Sequence, residues 1–544
     1  MKHKDIIRAL PLVADALGRK YGVRVHIGGN KAYTNGKDIH LPSLPLDSDE
    51  TALNLARGYL DHEAAHLRST DFEAMVQAGL TAIEKHVWNI LEDVMVERKL
   101  AQLYPGCRHN LAWLVRHVFL QEFEPSSDVS TEILNWILCR VRSFDVPELN
   151  ALTQELAQYI NQAFPGLLPR LMPIISSVPQ TCQDTRACIS TAKKLVRIIE
   201  KYAQSQANAQ ETTRTGGTDE TQHAHNEHSQ DKHHTGADTA IPTLVDIENL
   251  TEILHAPADK LPSGFGDRLG EALEKLSSPS SQSLTVAQVR PKSNTPLSEQ
   301  DIDETRKSTT ALRTRLQGLL QSAVDVRSKI GRTGHIDHRR LPRVVTTADS
   351  KVFLRKGRRQ GVNTAIHILL DASASMHGSC MELASKSCYA LGHALVHIPG
   401  VSLAITCFPG CIDYTLPSTD ESHRSVAPVL LRNEKFHNRF EITPNGSTPM
   451  AEALWWVLQE IHPQPEERKI ILIISDGDPD SYNETASAIS AIKGFGIEVY
   501  GIGIASTAIS RLLPYNQSAP VNDLGQLSPA MFGILQNVFM TAGR

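Results

Sequence analysis

The sequence predicts a multidomain chain, with a mostly α amino-terminal domain joined through a polar linker to a carboxyl-terminal α/β doubly wound domain. Three observations carry this. Apolar residues recur at three- and four-residue spacing from Met1 to about Tyr202. Large apolar residues then nearly vanish from Gln204 to about Ile241. From Asn363 onward, four continuous apolar runs, TAIHILLD, VSLAITCF, KIILIISD and IEVYGIGI, are separated by helical segments starting near Cys380, Thr448 and Glu484. Unbroken apolar strands joined by helices read as a parallel sheet covered on both faces. The expected divisions are 1–203, 204–241, 242–345 and 346–544.

A chain of 544 residues, 41% of them hydrophobic, is long enough for two or three domains with their own cores. Its net charge of -5 comes from nearly balanced bases and acids, so no whole-chain field draws it to nucleic acid or to an anionic membrane. Eight scattered cysteines lack the density of a disulfide scaffold and the pairing of zinc knuckles, and read as reduced thiols. The first residues, MKHKDIIRALPLVADALGRKYG, read as an amphipathic helix rather than a signal peptide. No run approaches the roughly 18 to 20 apolar residues of a membrane helix. The expected location is the cytoplasm.

Along the helical domain the strongest segments are Ala82–Leu103 and 131–160, with one strand-like interruption, VRVHIGG, at 23–29. The linker carries His223, His225, His228, His233 and His234, a tract without the fixed geometry that selects a metal. Helical periodicity returns over 244–280. From Thr310 a helix is predicted with Leu312, Leu316, Leu319, Leu320, Ala323 and Val324 on one face. A basic run over 327–343 and a second group, Arg355, Lys356, Arg358 and Arg359, follow; without interleaved aromatic residues they read as a solvated face or protein dock.

Doubly wound sheets bind ligands at the carboxyl ends of their strands. TAIHILLD delivers Asp371 to that edge, and D-A-S-A-S places Ser373 and Ser375 at alternate positions after it. Thr448 stands at a helix entrance in NGSTPMAEAL, and KIILIISD ends at Asp476. These oxygen donors suit a hard cation, magnesium above all. The three segments in this order resemble the metal-ion-dependent adhesion site of the von Willebrand factor A (VWA) family, a Rossmann-like fold. The resemblance implies Ser373, Ser375 and Thr448 as direct or near-direct ligands. Asp371 and Asp476 would then act partly through water, and a partner's carboxylate would fill the open position. Upstream, LRTRLQGLLQ, RTGHIDHRRL and KVFLRKG are similar to the T subunit of aerobic cobaltochelatase, a likeness placed over 310–544. That family implies a MoxR-type AAA+ ATPase partner and a protein client. The chain has no GxxxxGK[ST] loop of its own.

A second candidate centre lies in DHEAAHLRST, where His62, Glu63 and His66 form H-E-x-x-H. On a helix the two histidines stand one turn apart on one face and can share a zinc, with Glu63 placed as general base. The acidic helix HVWNILEDVMVERKL offers the third ligand. Glu92 is the first choice and Asp93 the alternative, because Asp93 and Glu97 share a face, so that one could bind metal while the other orients a histidine. This arrangement resembles zincin metallopeptidases.

Three functions fit: a metal-dependent VWA recognition subunit working with a MoxR-type ATPase and carrying a zinc-peptidase-like domain; an active zinc metalloprotease regulated by its VWA domain; or a chelatase subunit inserting a metal into a tetrapyrrole. Chelation ranks last at this level, because H-E-x-x-H departs from the chelatase pattern.

Overall fold

A computed structural model of the chain describes residues 7–120, 128–215, 243–277, 283–291, 294–305, 321–331, 335–336, 353–410, 424–527 and 529–530. Helix α1 (Leu10–Tyr21) leads into a small sheet of β1 (Arg24–Ile27), β2 (Tyr33–Thr34) and β3 (Asp38–Leu41), ordered β1-β3-β2, and then the short β4 (Leu44–Pro45). The expected strand at 23–29 is β1. The helices α2 (Glu50–Ser69), α3 (Phe72–Gln77), α4 (Ala82–Leu103), α5 (Pro105–Leu120), α6 (Val129–Arg142), α7 (Asn150–Ala163), α8 (Leu167–Thr181) and α9 (Thr185–Thr215) follow.

Local chemistry starts the two helices that matter most. The Asp49 side chain accepts the Ala52 N–H at the head of α2, and Thr81 and Glu84 form a reciprocal capping box on α4. Helix α4 is the hub, packed by α2, α5, α6 and α9 and buried on almost every face from Ile83 to Ala101. Helix α9 continues to Thr215, so the segment expected as linker begins as helix. The histidine tract lies outside the described residues.

Next come α10 (Leu244–Leu254), α11 (Phe265–Leu276), β5 (Ser283–Leu284), β6 (Gln288–Val289) and β7 (Asn294–Thr295). Helix α10 packs on α6 and α9, and α11 packs on α2. An antiparallel ribbon follows, with β8 (Gln321–Gly331) and β9 (His335–Ile336) both paired to β10 (Phe353–Val362). This corrects the helix expected from Thr310 at its end, since Ala323 and Val324 lie in β8 opposite Gln360 and Arg359. The reason is visible in the letters: Val324, Val326 and Ile330 alternate with Asp325, Arg327 and Lys329, the period of a strand. Leu312, Leu316, Leu319 and Leu320 lie outside the described residues.

The carboxyl-terminal sheet is built from β11 (Thr364–Asp371), β12 (Val401–Phe408), β13 (Ser425–Leu430), β15 (Arg468–Ser475), β16 (Glu498–Ile504) and β17 (Ser518–Val521), with β6 added at one edge; β14 (Glu441–Ile442) pairs with β7. The order is β17-β16-β15-β11-β12-β13-β6, parallel except where β13 runs against β12. Helices α12 (Ser379–Val396), α13 (Met450–Ile461) and α14 (Tyr482–Gly494) are the connections. All eight residues of β11 are buried, as a central strand covered on both faces requires. The winding reverses at β11, whose neighbours β12 and β15 are reached in opposite directions, and this opens a crevice beyond its carboxyl end.

The two regions share a core. A single cluster of buried apolar side chains runs from Leu10 and Leu91 through Phe265 and Leu284 to Trp455 and Ile473. Gln459 Nε2 on α13 donates to the Pro11 carbonyl of α1 at 2.8 Å, β5 pairs with β4, and the Ala287 N–H donates to the Glu452 carbonyl at 3.1 Å. The independent domain motion that a long linker suggests is therefore not what this packing supports. Among the described residues no helix is long and apolar enough to cross a membrane.

Candidate metal centres

At the carboxyl edge of β11, Asp371 is fully buried. Its Oδ1 accepts the Ser373 N–H at 2.9 Å and its Oδ2 the Ser475 hydroxyl at 2.5 Å. The Ser373 and Ser375 hydroxyls are 3.0 Å apart, and Ser375 donates to Asp476 Oδ1 at 3.0 Å. Four of the five residues expected here thus form one chain of contacts. The fifth, Thr448, is brought alongside by backbone: Asn445 N–H donates to the Ala372 carbonyl and Ala374 N–H to that of Gly446. Asp480 then grips Thr448, its Oδ1 accepting the Thr448 N–H at 2.8 Å.

Burial pushes the Asp371 carboxyl up to about 6 against its hydrogen bonds, and the neighbouring Asp476 pushes the same way. Burial likewise raises Asp476. Two carboxylates and two hydroxyls facing one another, with the acids held above their ordinary range, are an oxygen-only donor set that a divalent cation would satisfy and discharge. Ser475 and Asp480 were missed in the sequence reading. Ser475 left a signal, being the one hydroxyl in the apolar run KIILIIS.

The second centre is formed by α2 and α4. His62 and His66 stand one turn apart, their rings 4.9 Å between centroids. The carboxylate that joins them is Asp93: ligand atoms of His62, His66 and Asp93 all lie within 4.8 Å of one another. His66 Nε2 is 3.1 Å from Asp93 Oδ1, and its Nδ1 is 3.1 Å from the Thr70 hydroxyl. His62 Nδ1 is 2.8 Å from Glu97 Oε1, which leaves Nε2 for a metal. Glu92, the first choice for third ligand, is not in this group. Its Oε1 accepts the Thr185 hydroxyl of α9 at 2.6 Å, and it reaches His66 through its charge and through Thr70 rather than as one of the grouped ligands.

Behind the cluster, Arg142 of α6 donates to Asp93 Oδ2 at 3.3 Å and to Glu97 at 3.0 and 3.2 Å. Burial lowers the affinity of His62 for a proton, yet the Glu97 hydrogen bond and the charges of Asp93, Glu97 and Glu63 outweigh it and push the imidazole up to about 9. Burial raises Asp93 and Glu97, but their histidine and Arg142 partners hold both below the usual carboxylate range. Glu63 is buried beside His62, with the Tyr59 hydroxyl bonded to it. Two imidazoles and one carboxylate with fixed outer partners form a donor set suited to zinc.

Fold and sites together define a protein with a mostly helical region, carrying a His62–His66–Asp93 cluster that could hold a metal ion, packed on a doubly wound sheet with an oxygen-lined edge. Residues 2–243 match the family described as "Cobalamin biosynthesis protein CobT". The match falls on the amino-terminal region, whereas the sequence reading placed this likeness over 310–544 and took the H-E-x-x-H domain as a departure from it. No curated protein matches the chain. Among solved structures, the manganese-loaded Plasmodium vivax TRAP protein is similar at 13% identity and a TM-score of 0.25, over 32% of this chain and 73% of that one.

Proposed function

We propose that the chain is the recognition subunit of an ATP-driven assembly of the cobaltochelatase type, docking through a magnesium ion at Asp371, Ser373, Ser375, Thr448 and Asp476. The observation that carries this reading is the convergence of those residues at the switch point of the sheet. When bound, magnesium supplies a Lewis-acidic point for a partner's carboxylate. Ser373 and Ser375 supply neutral oxygens, Asp476 a charge, and Asp371, fixed by Ser475, orients the loop. With no phosphate loop in the chain, hydrolysis falls to a MoxR-type AAA+ partner acting on a protein client in the cytoplasm.

The match over residues 2–243 favours the chelatase form of this reading, in which the assembly inserts a metal into a tetrapyrrole. His62, His66 and Asp93 hold a resident zinc in it, with Glu97 positioning His62 and Arg142 holding both carboxylates. The metallopeptidase reading rests on Glu63 beside His62, where it could take a proton from a water. It requires an open approach to a cluster whose His62, Glu63 and Asp93 are all buried.

The test is co-purification with a MoxR-type ATPase in magnesium, repeated with EDTA and with Asp371→Ala and Asp476→Ala. Loss of the complex in all three is expected. A complex that survives them overturns the docking reading. Metal analysis should find one zinc per chain, lost in His62→Ala; a chain that never holds zinc removes the second centre.

A further inference from the structure

The first turn of α11 lies directly on the His62–His66–Asp93 cluster. Phe265 is fully buried: its ring meets His62 edge-on at 5.4 Å, stacks on Phe119 at 5.7 Å and carries the Arg142 guanidinium 3.6 Å from its centroid. A Cβ on Gly266 would stand 2.9 Å from His62 Nε2 and 3.9 Å from Glu63 Oε1. The turn therefore covers the ring nitrogen that His62 has left for a metal, and the carboxylate beside it. Only glycine lets backbone come this close.

One aromatic side chain fills a seat made of an aromatic ring, a cation and a metal-site imidazole, and the next residue is small because it passes over the reactive groups. Polar ties hold the rest of α11: Arg268 Nη2 donates to Asn135 Oδ1 at 3.0 Å, and Glu274 Oε1 accepts the Ala32 N–H at 3.1 Å.

We propose that residues 264–268 are the resident occupant of a polypeptide-binding cleft over this centre, and that the cleft takes, in their place, client segments with an aromatic side chain followed by glycine. The inference rests on reading the cluster as a zinc centre. In the closed form His62, Glu63 and Asp93 are buried, while His66 keeps a small exposed surface. Release of α11 exposes Glu63 and His62 together with the Phe265 seat.

The test uses the full chain loaded with zinc and follows transfer of the metal to a chromogenic chelator. The wild type is compared with the Asn135→Ala/Glu274→Ala chain, which removes both acceptors that tie α11 down and keeps Phe265, Phe119 and Arg268, and with Phe265→Ala. Release should be roughly tenfold faster in both variants, the weight of about two net hydrogen bonds in the first. A synthetic peptide of residues 263–270 should slow it again in the double variant, and the same peptide with Phe265→Ala should not. Zinc held by all three chains and released at equal rates overturns the plug, as does a peptide without effect on the loosened chain. Absence of zinc from the wild type overturns the zinc reading itself, and this one with it.

Discussion

At the scale of single residues, Arg142 is the side chain on which the helical centre depends. It is 2% exposed and faces two carboxylates that are themselves buried. Removing a buried partner strands the charges opposite it at a cost of about 3–5 kcal/mol. Arg142→Ala should therefore lower the urea midpoint by that equivalent and abolish zinc retention, whereas Glu97→Gln, which keeps a hydrogen-bonding oxygen near His62, should weaken zinc binding by about 10- to 100-fold. His367 offers a pH test on the other region. Burial in the middle of β11 pushes its imidazole down to about 3, with Nε2 bonded to the Thr406 hydroxyl. A depressed histidine contributes stability that is present above its unfolded value of about 6.5 and is lost as pH falls toward 3. The wild type should lose roughly 3 kcal/mol by about pH 4 from this group alone, and His367→Gln should flatten that part of the acid limb in urea titrations.

At the scale of elements, β16 tolerates little at its glycines. A Cβ at Gly503 would stand 2.1 Å from the Ser506 carbonyl oxygen, a backbone atom that cannot swing away. Gly503→Ala should cost about 3 kcal/mol or more in chemical unfolding. Gly58→Ala meets the side chain of Leu114, with Cδ2 at 2.8 Å and Cγ at 3.2 Å, which can shift where backbone cannot, and should cost about 1 kcal/mol. The elements also mark how far the letters could be read. Continuous apolar runs gave the strands of the parallel sheet, and D-A-S-A-S with Thr448 and Asp476 gave the oxygen-lined edge, because strand ends fix where loops lie. The choice between Glu92 and Asp93 was not readable. Helix α4 is buried nearly all round, so its periodicity carries no indication of which face meets α2 and which meets Thr185 of α9. Arg142 was invisible for a related reason, since it arrives from α6, far along the chain. The β8 ribbon was misread because leucines upstream set a helical period before the alternation around Val326 began.

At the scale of the whole molecule, the shared core has a thermodynamic signature. Because apolar side chains from both regions interlock, the described body should unfold in one calorimetric transition, with van't Hoff and calorimetric enthalpies in agreement. Two resolved peaks would mean that the regions melt apart. One bridge between them is α1, only twelve residues long, or about 18 Å. Near its start the Pro11 carbonyl receives Gln459 of α13, the helix that opens just after Thr448. At its end the Tyr21 hydroxyl donates to Asp61 Oδ1 at 2.6 Å, one residue before His62. An expression clone begun at Gly22 would keep every motif the sequence advertises. It would also remove a strut that reaches toward both centres, so trimming that spares each ligand would still be felt at both.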